Sequence, residues 1–173
     1  FGLEQARADS KRYPAINPIE SYSKYIEYPE FDEYISERIS PQWISMVNDM
    51  RTLLQRGKEV QEQINILGDD GVPVDYHITF WKSELIDFVI LQQDAFDDID
   101  AVTPIERQHY MLKLIMDICK SDFNFVNFTD VMDYFKRIIN VCKQMNYSEF
   151  HSQAFESYYN ELQNILAERK IKQ

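Results

Sequence analysis

From Trp43 onward, apolar side chains return at steps of three and four residues, a spacing that only an α-helix turns into one continuous face. Trp43, Met46, Val47, Met50, Leu53, Leu54, Val60, Ile64 and Leu67 follow this rule. Ser40 is a good cap for such a helix and Pro41 suits its first position. Gly68 should stop it, and Asp69-Asp70-Gly71-Val72-Pro73 reads as a loop. The same spacing predicts a second helix over 75–92, with Ile78, Trp81, Leu85, Phe88 and Val89 inward. Thr103-Pro104-Ile105-Glu106 has the form of a capping box and opens a third, carrying Met111, Leu112, Leu114, Ile115, Ile118 and Cys119. A fourth is predicted over 129–144. Ser148 is the expected cap of a fifth, over 149–170, with Phe155, Tyr158, Tyr159, Leu162, Ile165 and Leu166 on one face. Only 4 glycines in 173 residues agree with helices rather than with the tight turns of sheets. The fold class is therefore all-α, a helical bundle of about five helices, and its short connections predict antiparallel neighbours.

The first forty residues differ. Pro14, Pro18, Pro29 and Pro41 punctuate them, each disfavouring helix in the residue before it. Tyr22, Tyr25, Tyr28, Phe31 and Tyr34 are interleaved with charges. This predicts a non-helical amino-terminal arm, and a division into a connector over 1–40 and a bundle domain over 41–173. The chain opens Phe1-Gly2-Leu3-Glu4, with neither an initiator Met nor a signal-peptide pattern, and reads as part of something longer.

Charge narrows the partners. A formal net charge of -11 would repel a phosphate backbone, so no nucleic-acid partner is expected, and an anionic membrane surface is disfavoured too. A basic protein partner would be favoured, although acidic surfaces more often serve solubility alone. The apolar patch Leu85–Leu91 is interrupted by Asp87 and is too short for membrane insertion. Cys119 and Cys142 lie in apolar helical stretches with no Cys-x-x-Cys spacing, and read as buried hydrophobes in a reducing compartment.

No catalytic constellation emerges. The one Gly-Lys pair, Gly57-Lys58, is followed by Glu59 and has Thr52 at the first Gly position of a phosphate loop; it also falls inside a helix. Glu106-Arg107-Gln108-His109 is one Glu-x-x-His motif, where a di-iron bundle needs two, so no metal site is expected. Asp94, Asp97, Asp98 and Asp100 do not follow the calcium-loop pattern and suit a solvated acidic loop. Phe96, an aromatic among those acids, is on general grounds more often a plug for the bundle than a ligand contact.

Two longer stretches carry a resemblance. Arg12-Tyr13-Pro14-Ala15-Ile16-Asn17-Pro18, followed by Ser21-Tyr22-Ser23, resembles the segment leaving the nucleotide-binding domain in catalytic A (alpha) subunits of V/A-type (V-type) ATP synthases and ATPases. Leu91-Gln92-Gln93-Asp94-Ala95-Phe96 is similar to the Leu-Gln-Gln-Asn-Ala-Phe stretch of their carboxy-terminal helical domain, and Tyr110-Met111-Leu112-Lys113 fits the third helix of that domain. The order and spacing agree over about residues 1–120.

The resemblance implies an adenine pocket in which Tyr13 and Phe96 flank the base, with Gln93 and Ala95 beside it. Stacking on both faces of a purine suits two aromatics. Asp94 stands where the family has Asn and, as a carboxylate, cannot donate a hydrogen bond there. The resemblance also implies ATP or ADP with Mg in the full complex and a B subunit alternating with this one in a hexamer. It further implies helical domains gripping the central rotor stalk subunits, and a cytoplasmic location peripheral to the membrane through the complex. The phosphate loop, the Mg-binding residues and the catalytic Glu would belong to a preceding domain. The isolated chain should thus be inactive, with no bound nucleotide: one stacked base contributes roughly 1–3 kcal/mol against an association cost of about 4–15 kcal/mol. The alternative is a free-standing acidic helical module that binds a basic protein. It accounts for residues 40–173 but not for the Arg12–Ser23 arm.

Overall fold

A computed structural model describes residues 43–92 and 104–171. The predicted arm, and with it the division at residue 40, lies outside them. Among the described residues there are five α-helices: α1 (Trp43–Leu67), α2 (Val74–Ile86), α3 (Pro104–Lys120), α4 (Phe128–Tyr147) and α5 (Gln153–Arg169). A 3₁₀ turn (Asp69–Gly71) joins α1 to α2, and a π-helical turn (Asp87–Leu91) extends α2. The only strand-like pairing among the described residues is an isolated antiparallel bridge between Phe123 and Lys170.

The local chemistry explains most boundaries. Gly68 takes φ 80°, a left-handed conformation open to glycine, and donates its N–H to Ile64 O at 2.8 Å, closing α1 where the sequence predicts. Asn127 caps α4 by accepting from Asp130 N at 2.9 Å, which starts that helix at Phe128 rather than Thr129. One expectation is corrected. Ser148 does not cap α5; it terminates α4, donating its hydroxyl to Gln144 O at 2.8 Å and its N–H to Met145 O at 3.1 Å. Ser152 caps α5 instead, accepting from Phe155 N at 3.2 Å. Between the two serines His151 adopts φ 61°, which no α-helix can pass through.

One apolar cluster runs through all five helices. Trp43 and Met50 of α1, Leu85 of α2, Leu112 and Ile115 of α3, Phe135 and Ile138 of α4, and Phe155 and Leu162 of α5 are all essentially without solvent contact. Each such side chain stabilises the bundle by about 1.5–3 kcal/mol through burial. Helix α1 packs along α2, α2 along α4 and α4 along α5, while α3 meets α1 and α2. The inward stripe of α1 fades before its end: Ile64 is half-buried and Leu67 exposed. Gly57 lies at the crossing of α1 and α2, where a Cβ would overlap Cβ and Oγ of Ser83. That, rather than any phosphate contact, is what this glycine provides.

Helices α4 and α5 are also cross-linked by polar contacts. Tyr134 donates its hydroxyl to Ile165 O (2.8 Å) and Leu166 O (3.3 Å). Arg137 grips both carboxylate oxygens of Glu168 at 2.9 and 2.8 Å. The α3–α4 connection is held to the end of α5 by Asn124 N donating to Arg169 O (3.1 Å) and Ile171 N donating to Asp122 O (2.8 Å).

Candidate functional site

Four residues are expected to contact adenine: Tyr13, Gln93, Ala95 and Phe96. All four lie outside the described residues, as do Asp94, Asp97, Asp98 and Asp100. The described residues do fix both stems of segment 93–103, and they show what each stem is fastened to.

The incoming stem is the π-helical turn Asp87–Leu91. Val89 and Ile90 point into the core, and Asp87 is buried as well. Turns of this width are rare, and they recur at functional sites because they re-aim the chain that follows. Across from the turn, Asn146 of α4 donates from Nδ2 to Val89 O at 3.0 Å.

The outgoing stem is the first turns of α3. Arg107, only 3% exposed, reaches the carboxy-terminal end of α4. Its Nη2 lies 2.9 Å from Met145 O, 2.7 Å from Asn146 O and 2.8 Å from Ser148 O. Helix carbonyls at that end have no intrahelical donors and carry the negative pole of the helix dipole, so a guanidinium is a fitting cap. The rings of Phe150 and Phe155 lie 5.9 Å from the guanidinium carbon. Tyr110 joins this group, 5.3 Å from Phe150 and 5.6 Å from Phe155, and burial pushes its phenol up to about 12.

The remaining candidates resolve into structural roles. His109 stacks on Trp43 with ring centroids 5.7 Å apart, and burial, then the charge of Lys113, holds its pKa below the ordinary value. Its motif partner Glu106 is half-buried one turn earlier on α3. Among the described residues no group of three or more His, Cys, Asp or Glu could hold a metal. Cys119 and Cys142 are free and buried, and burial pushes both thiols up to about 12, far from nucleophilic at neutral pH. His77 is buried, donates from Nε2 to Asp69 O (2.8 Å) and stacks on Phe128, fastening the α1–α2 connection. Among the described residues no helix is long and apolar enough to cross a membrane.

One surface groove has a distinct character. Trp81 and Phe88 of α2 floor a cavity of about 490 Å³ edged by Lys136, Arg137 and Lys143 of α4. The ammonium of Lys143 lies 4.7 Å from the centre of the Phe88 ring, and that of Lys136 lies 6.0 Å from Trp81.

Sequence reasoning missed Arg107 and Asn146. The signal was present: Arg107 precedes Met111 by four residues and Ile115 by eight, on the stripe that faces the core. A charge there has to find partners inside the bundle.

Among the described residues the fold is an all-α bundle. Residues 32–134 match the family described as "C-terminal domain of V and A type ATP synthase", and the chain belongs to that family. It is similar to proteins named "V-type ATP synthase alpha chain". The one from Protochlamydia amoebophila is 33% identical, over 99% of this chain and 28% of the relative. That from Borrelia duttonii is 34% identical over 98% of this chain and 27% of the relative. That from Treponema denticola is 31% identical over 97% and 26%. The likeness thus runs beyond residue 120, to nearly the whole chain, while the chain spans little more than a quarter of the length of these relatives.

Proposed function

We propose that this chain is the carboxy-terminal part of the catalytic subunit of a rotary ATPase that couples ATP hydrolysis or synthesis to proton or sodium transport. In this reading the bundle transmits motion to the central stalk, residues 1–40 connect it to a nucleotide-binding domain, and B subunits alternate with it in a hexamer. Phe96 and Tyr13 stack on the two faces of adenine, with Gln93 and Ala95 at its edge. The observation that carries the reading is the family match over residues 32–134, joined to relatives named as ATP synthase alpha chains that cover nearly all of this chain.

The division of labour follows from the chemistry. ATP and Mg bind in the full complex, where the phosphates are held outside this chain. Adenine stacking lies far from the reacting phosphorus, so it strengthens ground and transition states alike. A densely packed bundle moves as a body when one end is displaced, as a lever must. The isolated chain, with no phosphate loop in its sequence, hydrolyses no ATP.

The test is Phe96→Ala in the full complex. Loss of one stacking face, roughly 1–3 kcal/mol, should raise KM for ATP about fivefold or more and leave kcat nearly unchanged. An unchanged KM would remove Phe96 from the pocket. Tight, stoichiometric binding of ATP by the isolated chain would overturn the assignment of phosphate binding to another domain.

A further inference from the structure

The groove between α2 and α4 is built from one unit used twice. The Lys136 ammonium lies 6.0 Å from the centre of the Trp81 ring, and that of Lys143 lies 4.7 Å from the centre of Phe88. Trp81 and Phe88 are seven residues apart on α2 and its π-helical extension, and the two lysines are seven apart on α4. The two stretches therefore run side by side in the same direction, with an aromatic–ammonium pair at each end of the groove. Ile139 and Asn140 line the space between the pairs.

The two lysines are placed unlike other basic residues of the bundle. Lys113, Lys120 and Arg137 each hold a carboxylate, and Arg137 at the groove's edge is taken up by both oxygens of Glu168. In a chain with 29 acids to 18 bases, a carboxylate is the charged neighbour a lysine meets most readily. Yet among the described residues neither Lys136 nor Lys143 has one within ion-pair distance; each lies over a ring instead. A ring face holds an ammonium in place without neutralising it. The groove thus presents two positioned positive charges over a half-buried aromatic floor, in a chain of net charge -11.

The spacing selects the occupant. Seven residues along a helix span about 10 Å. One phosphate or carboxylate group cannot meet both ammoniums across that distance. In an extended peptide about 10 Å is three residues, which puts the two side chains on opposite faces. In a helix it is two turns, which puts them on the same face with an apolar position between them. A furrow between two parallel helices also suits a third helix in shape. We infer that this groove docks an acidic amphipathic helix of a partner protein, with carboxylates seven residues apart meeting Lys136 and Lys143 and an apolar side chain between them on Trp81, Phe88 and Ile139. The chain as a whole repels an acidic partner, so the two lysines fix where such a helix lands and in which register. None of these residues is among those expected at adenine.

The experiment titrates the full 173-residue chain with a synthetic helical peptide of about 15 residues. It carries Glu at two positions seven apart, Leu between them, and Ala and Gln elsewhere. Calorimetry gives Kd. Tryptophan emission should shift on binding, because Trp81 is half-buried and the chain's other tryptophan, Trp43, is in the core. Replacing both Glu by Gln in the peptide, or Lys136→Gln with Lys143→Gln in the protein, should weaken binding about tenfold, the loss of two exposed ion pairs. A peptide whose two Glu stand five apart, on different helix faces, should bind no better than the Gln peptide. Charge exchange is the decisive arm: Lys136→Glu with Lys143→Glu should lose the Glu peptide and gain one with Lys at the same two positions. If circular dichroism shows that the doubly reversed chain does not fold, the Gln pair decides through the loss expected of it. Equal affinity for the Glu and Gln peptides, or no heat and no emission change at millimolar peptide, would overturn the proposal. Binding of inorganic tripolyphosphate without binding of the peptide would make the groove a small-anion site and overturn it as well.

Discussion

Gly57→Ala should destabilise this bundle, although the same change in an exposed helix would stabilise it. Gly57 is buried mid-helix in α1, and an added Cβ would overlap both Cβ and Oγ of Ser83 on α2, with Ser83 Cα already 3.8 Å away. The hydroxyl can rotate aside. The Ser83 Cβ is fixed to its backbone, so relief requires α1 and α2 to part. Overpacking of this kind costs about 1–3 kcal/mol, against roughly 1 kcal/mol gained by replacing a helical glycine with alanine. The net expectation is a loss of about 1 kcal/mol, or about 2–4 °C in melting temperature for a chain of this size. Urea unfolding of Gly57→Ala, Ser83→Gly and the double variant closes a thermodynamic cycle. Ser83→Gly alone should destabilise through helix propensity, yet in the Gly57→Ala background it should restore part of the loss. Strict additivity, or a Gly57→Ala variant stabilised by the full propensity gain, would show that the helices do not touch there.

Further expectations follow from burial. The neutral form of His109 is favoured in the folded chain, so the unfolded chain binds more protons just below the ordinary histidine value of 6.5. Stability should therefore fall as pH drops through that value, and His109→Phe, which keeps the stack on Trp43, should flatten the slope of denaturation midpoint between about pH 7 and 5.5; an unchanged slope would count against it. A thiol reagent should find neither Cys119 nor Cys142 in the native chain and both after denaturation, since both are buried with thiols raised to about 12. Prompt native labelling would contradict that packing. Phe155→Ala, at a fully buried ring shared by Tyr110, Phe150 and Arg107, should cost about 3–5 kcal/mol in chemical denaturation.

What the sequence revealed divides along a physical line. Helices announce themselves through spacing, so all five could be read from their stripes, and Gly68 ended α1 because few other residues sit comfortably at φ 80°. The start of α5 was misread because Ser148 and Ser152 are equally good caps four residues apart. What decides between them is His151 at φ 61° stacked 3.8 Å from Phe150, and nothing in a histidine advertises positive φ. The π-helical turn was illegible for a related reason: five residues wound one step wider do not disturb an apolar stripe enough to show. Arg107 was half legible. Its place on the stripe put a charge inside the bundle, but its partners lie 38 to 41 residues away, beyond what spacing encodes. The residues expected at adenine came from resemblance, not from periodicity, and lie outside the described residues.

The distribution of polar contacts in the bundle bears on how it could act as a lever. Apolar packing fills its length, and such contact is dense but non-directional; it resists separation better than it resists small rotations. Directional contacts gather toward the middle of α4 and at its close. Near its middle, the Tyr134 hydroxyl and the Arg137–Glu168 pair fix α4 against the last turns of α5, and the connection before α4 is bonded to the same end of α5. At its close, Arg107 and Asn146 fix it to both stems of segment 93–103. A helix held near its middle and at its close by hydrogen bonds, and along its flank by close packing, cannot twist without breaking one set. On the proposed reading of the bundle as a lever, a displacement imposed at the carboxy-terminal end of α4 is therefore passed to the α4–α5 pair as a rigid motion rather than dissipating in a soft core.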